Sequence, residues 1–120
     1  MKYMLLIYNN QATIEAMSEE ERQGFFGDVD EVMKELTESG ELVGGEALAD
    51  PSTAKIVRVR GGVPATTDGP YAEAKEQLAG YLMVECENVE RATEIATRWP
   101  DAKLWTMEVR AVMDPAGMEM

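Results

Sequence analysis

Hydrophobic residues along the chain follow two periods, and the switches between them outline the elements. Residues 2–8, KYMLLIY, form an apolar run rich in strand formers and too short for a stable helix, which predicts a first strand, expected at the centre of a sheet. Asn9 to Met17 reads as a polar turn region. Ser18 and Glu21 have the Ser-x-x-Glu spacing of a capping box and predict a helix start. Phe25, Phe26, Val29, Val32, Met33 and Leu36 then recur on one helical face, with Asp28, Asp30, Glu31, Lys34 and Glu35 outside it and Gly40 as the stop. That stripe is read as core packing rather than as a partner-binding face.

Residues 41–49, ELVGGEALA, read as a strand in which Gly44 and Gly45 mark a bulge or a close backbone approach. Asp50-Pro51-Ser52 is a turn. Period two returns over residues 55–60, KIVRVR, with Val57 and Val59 on one face and Arg58 and Arg60 on the other. Gly61-Gly62 signals a hairpin turning back into Val63 to Thr67. Leu78 to Cys86 reads as a strand with apolar residues on both faces. Asn88 caps a second long helix whose apolar positions are Val89, Ala92, Ile95, Ala96 and Trp99, and Pro100 ends it. Leu104 to Val112 is the last strand, and residues 114–120 form a loose tail.

The order is βαββαβ with a small inserted hairpin, which predicts an α+β, ferredoxin-like domain over residues 1–113. Helices cover one face of such a sheet. A second copy packing sheet to sheet is expected on the other, making a homodimer.

Composition narrows the chemistry. The chain has 120 residues, enough for one core, and no apolar run near the roughly 20 residues that span a bilayer, so no membrane role is expected. Its opening run lacks the length and cleavage site of a signal peptide, which with a single cysteine, Cys86, points to a cytoplasmic protein whose thiol is packed rather than nucleophilic. A net charge of −12 disfavours direct contact with nucleic acid. Histidine is absent, which removes the usual neutral-pH acid/base, the His-activated nucleophiles and the commonest transition-metal ligand. No phosphate-binding loop or metal spacing occurs, so neither metal nor cofactor is expected. The nine methionines are read as packing and tail.

The densest segment is residues 68–76, DGPYAEAKE. Asp68 can accept from backbone N–H groups one turn on, Gly69 tolerates positive φ, and Pro70 presets φ for a following turn. The same Asp68 can instead serve as a site carboxylate beside Lys75 and the strand arginines Arg58, Arg60 and Arg110. Glu46, in GGEAL, is the second acid/base candidate. Arg58 is the candidate anion anchor, Lys75 a further ligand contact, and Tyr8 and Tyr81 can place hydroxyls in a dimer cleft.

Together KYMLLIY, ESGELVGGEAL, VRVR followed by GG, TDGPYAEAKEQLAGYLMVE and MEVRAV resemble the YCII-related proteins of the DGPF type, over residues 1–113. That type takes its name from Asp-Gly-Pro-Phe followed by Ala-Glu-x-Lys-Glu; here Tyr71 stands at the Phe position and Ala74 where Thr is frequent. The resemblance implies a dimeric α+β barrel of undefined biochemical function. A His-Asp pair proposed as catalytic in some relatives has no counterpart here, since there is no histidine. Two functions follow as expectations. One is binding of an unknown small molecule, or cofactor-free carboxylate acid/base chemistry, in the dimer cleft. The other is an accessory role linked to an extracytoplasmic-function sigma factor, since such proteins are often encoded beside one.

Overall fold

The computed structural model describes residues 1–69 and 76–117. The chain opens with strand β1 (Lys2–Asn9), a short helix α1 (Gln11–Ala16), the long helix α2 (Glu19–Ser39) and strand β2 (Leu42–Ala47). After a 3₁₀ turn at Pro51–Thr53 come β3 (Lys55–Arg60) and β4 (Val63–Asp68). Strand β5 (Gln77–Glu85), helix α3 (Val89–Arg98), the single turn α4 (Asp101–Leu104) and β6 (Thr106–Ala111) complete it. One sheet has the order β2-β5-β1-β6 with antiparallel pairings throughout; β3 and β4 form a sheet of their own. This is the ferredoxin-like plan, with β1 and β5 central and the hairpin inserted between β2 and β5.

Local chemistry explains the boundaries. At Ser18 both arms of the capping box are made: the Ser18 hydroxyl accepts from the Glu21 N–H, and the Glu21 carboxylate accepts from the Ser18 N–H, each at 3.1 Å. Gly40 ends α2 in the left-handed region at φ 80°, and the Glu41 N–H closes back on the Leu36 carbonyl. Gly61 and Gly62 both have positive φ, which a two-residue hairpin of this hand requires. Asn88 caps α3 by accepting from the Arg91 N–H at 2.9 Å.

Two boundaries differ from the sequence expectation. Residues 11–16, expected within a turn region, are helical: Asn10 caps them by accepting from the Thr13 N–H, and Ile14 is their one buried side chain. With Ile14 as its single large apolar residue there is no helical period to detect. The last strand starts at Thr106 rather than Leu104, because Asp101–Leu104 forms one more helical turn beyond Pro100.

The core lies between the four-stranded sheet and the helices. Tyr3 and Leu5 of β1, Leu82 and Val84 of β5, Val32 and Leu36 of α2, and Ala92, Ile95 and Ala96 of α3 are all buried. Leu5 pairs with Leu82 on one side and Val109 on the other, so side chains of three strands meet on this face. Arg91 of α3 grips the Glu41 carboxylate with two donors, at 2.9 and 2.7 Å, and Arg98 pairs with Glu35 to tie α3 to α2. The other sheet face carries Met4, Leu6, Tyr81 and Met83, all half-buried. No helix among the described residues is long and apolar enough to cross a membrane.

Candidate functional site

The apolar stripe of α2 is buried only in its second half. Val32 and Leu36 reach the core, whereas Phe25, Val29 and Met33 are half-buried and Phe26 is 47% exposed. The cause is the sheet opposite. Where the β2–β5 ladder runs out from the core, Gly45 pairs with Leu82 and Gly80 with Ala47, so two glycines and an alanine stand where large side chains would fill the space. The strands approach so closely that a Cβ on Gly45 would lie 2.6 Å from the Tyr81 carbonyl oxygen, and one on Gly80 2.6 Å from that of Glu46.

The result is a cavity of about 530 Å³ between α2, α1 and this end of the sheet. Ile7, Ile14, Phe25, Phe26, Val29, Met33 and Trp99 form apolar walls, and backbone and side chains of residues 45–48 and 79–82 form the floor. Phe25 and Phe26 meet edge to face at 5.3 Å, and Phe25 also packs edge-on against Trp105 at 6.2 Å.

One corner is polar. Asp101, at the start of α4, lines the cavity and is 3% exposed. Its carboxylate accepts from the Asn9 amide at 3.0 Å and from the Trp99 side chain. Burial pushes the Asp101 carboxyl above the ordinary aspartate range, and those hydrogen bonds hold it back only in part. Gln11 and Asp30 add polar groups around the lining. A cavity of this size with apolar walls and few convergent polar groups suits a small organic molecule, for which about 300–1,000 Å³ is usual. Among the described residues no group of His, Cys, Asp and Glu is arranged to hold a metal ion.

The sequence candidates are distributed over three places. Glu46 and Tyr81 sit directly opposite each other in the β2–β5 ladder; their strand segments border the cavity, but this rung belongs to the open sheet face with Leu6. Tyr8 lies away from that lining: its hydroxyl donates to the Glu108 carboxylate at 3.2 Å, and Arg110 pairs with the same carboxylate at 2.7 Å. Burial and Glu108 together push the Tyr8 phenol up. Asp68 and Arg58 belong to the β3–β4 hairpin, where Asp68 closes a cross-strand ion pair with Lys55 and Arg58 stands opposite Ala65, all exposed. Neither lines the cavity, so Asp68 and Glu46 do not converge there. Lys75 lies outside the described residues.

Cys86 is buried, its thiol donates to the Asn88 carbonyl at 3.5 Å, and burial pushes its pKa up, as suits a packed thiol. Sequence inspection missed Asp101 and the Phe25-Phe26 wall. Asp101 follows Pro100 and is hidden behind a helix stop. Two adjacent phenylalanines, about 100° apart on a helix, cannot share one narrow core stripe, and that was the available signal.

A family model described as the YCII-related domain matches residues 1–115. The chain is also similar to an uncharacterized protein of Rhizobium meliloti (strain 1021), with 32% identity over 96 residues, which is 80% of this chain and 77% of that one. With the motifs, the sheet order and this match over nearly its whole length in agreement, the chain belongs to the YCII-related domain family.

Proposed function

We propose that this protein binds a small, mostly apolar organic molecule in the cavity between α2 and the glycine-floored end of the sheet. The observation that carries this is the half-exposed aromatic wall of Phe25 and Phe26 facing a floor of Gly45, Ala47 and Gly80. Filling that space with ordinary core side chains would have stabilised the fold by roughly 1.5–3 kcal/mol for each large residue buried. Leaving it open sacrifices that stabilisation, as binding sites commonly do.

Asp101 is the group in the cavity best suited to hold or move a proton, since it is buried at the polar corner and burial raises its pKa above the ordinary aspartate range. It takes the acid/base role expected of Asp68 and Glu46. Assignment to the DGPF type rests on the resemblance of the motif DGPY, and the half-buried Met4, Leu6 and Met83 favour a homodimer through the open sheet face. A cytoplasmic location rests on composition, and a sigma-factor link on the resemblance alone.

Native mass spectrometry of the untagged protein taken from its own cells tests the proposal. The expected result is a bound species of a few hundred daltons that is absent from Ala47→Phe, a substitution that fills the floor. Bare chains, or an adduct retained by folded Ala47→Phe, would overturn it.

A further inference from the structure

The charge of the lining identifies the class of ligand. Two carboxylates line the cavity: Asp30 on α2 and Asp101 at its buried corner. Among the described residues no lysine or arginine lines it. The described ion pairs lie elsewhere, and none involves Asp30 or Asp101. Asp101 is served by neutral donors, Asn9 and Trp99, so its charge has no cationic counterpart among the described residues.

The apolar part of the lining has the matching character. Phe25, Phe26 and Trp99 offer aromatic rings, whose negative faces attract cations, most strongly where water is excluded. The exposed Asp30 carboxylate on a low-dielectric wall also adds a negative potential at the mouth, within a protein of net charge −12. An anionic ligand would meet two like charges and, among the described residues, no counter-charge. A neutral one would use the walls and leave the carboxylates unpaired.

Resting on the cavity being the ligand site proposed above, we infer that its ligand is an organic cation: an amine with an aromatic or branched apolar body, its ammonium group directed to Asp101 and its entry steered by Asp30. The ammonium supplies donors that a carboxylate can accept, and the body occupies the space between α2 and the glycine floor.

Three probes of one shape separate charge from shape: 2-phenylethylammonium, 2-phenylethanol and phenylacetate, titrated calorimetrically into the full chain at neutral pH. The ammonium is expected to bind at least about tenfold more tightly than the alcohol, a difference of about 1.4 kcal/mol. Phenylacetate is expected to bind more weakly than both. Asp30→Asn, at an exposed position that leaves folding intact, should narrow the ammonium preference, and Asp101→Asn should narrow it further. If Asp101→Asn does not fold, the Asp30→Asn ratio and the three-probe ranking still decide. The alcohol or the carboxylate binding as tightly as the ammonium would overturn the cationic assignment and leave the cavity as a ligand site. No binding by any probe, or binding that survives Ala47→Phe, would overturn the cavity reading and this inference with it.

Discussion

Gly80 stands directly across from Ala47 in the β2–β5 ladder, and the Glu46 carbonyl oxygen lies 2.6 Å from where a Gly80 side chain would begin. The neighbour is backbone on the adjacent strand, so it cannot rotate away. Gly80→Ala is therefore expected to destabilise the protein by about 1–3 kcal/mol, the range for overpacked sites. Urea unfolding measures it. An unchanged midpoint would mean that the ladder relaxes and that the close approach is not needed.

Much of this was legible in the sequence, for reasons that can be named residue by residue. Ser18 and Glu21, Gly40, Gly61-Gly62 and Asn88 act through local backbone chemistry, and each does in the structure what its type predicts. Gly44-Gly45 announced a bulge or close approach; the register shifts between Leu42 and Gly44, and Gly45 is the close approach. The cavity was not legible. It arises because Phe25 and Phe26 face Gly45 and Gly80, residues far apart in sequence whose meeting depends on strand order. An apolar helical stripe has the same pattern whether the surface opposite it is full or empty.

The Arg91–Glu41 pair gives a pH dependence with a definite sign. The Arg91 guanidinium, helped by the Ser39 hydroxyl, holds the Glu41 carboxyl below its ordinary value of 4.5. As pH falls the unfolded chain takes up this proton first. The stabilisation from Glu41 is thus complete above about pH 4.5 and is lost as pH drops through the folded value. Asp101 acts in the opposite sense. Its raised pKa means that its contribution is greatest below about 3.8 and is lost as pH rises through the folded value. Arg91→Ala should cost on the order of 1 kcal/mol at neutral pH, since the pair is partly exposed, and less at pH 3. Chemical denaturation at the two pH values tests this; an equal loss at both would assign Arg91 a packing role.

The hairpin should behave as an independent unit. Among the described residues strands β3 and β4 pair only with each other, and Val57, Val59 and Val63 are 64%, 55% and 66% exposed. Gly62 has φ 78°, so Gly62→Val forces a β-branched residue into the left-handed region, a cost of roughly 1–2 kcal/mol. That cost is expected to appear as faster amide exchange confined to β3 and β4, with Leu5 and Val84 keeping their protection. Loss of protection across β1 and β5 would show that the hairpin is part of the main cooperative unit.

The open sheet face supplies the last prediction. Leu6 stands there between its ladder partners Tyr81 on β5 and Glu108 on β6, with Met4 and Met83 forming the next rung. These side chains are half-buried within one chain, and no described helix packs over them. An ion pair at one end, Glu108 with Arg110, gives the apolar centre a polar edge, the usual anatomy of a contact surface. If two copies meet there, Leu6→Arg places one charge from each chain at the shared centre, where burial without a partner costs several kcal/mol. Sedimentation equilibrium should then give two chains for the natural protein and one for the variant, with the far-ultraviolet circular dichroism of both the same, because Leu6 is outside the buried core cluster. Dimers in both would move the interface elsewhere, to the hairpin first, since it carries the largest exposed valines. A monomer in both would mean that the sheet face meets solvent or a different protein, and the cavity on the helix side would then be complete within a single chain.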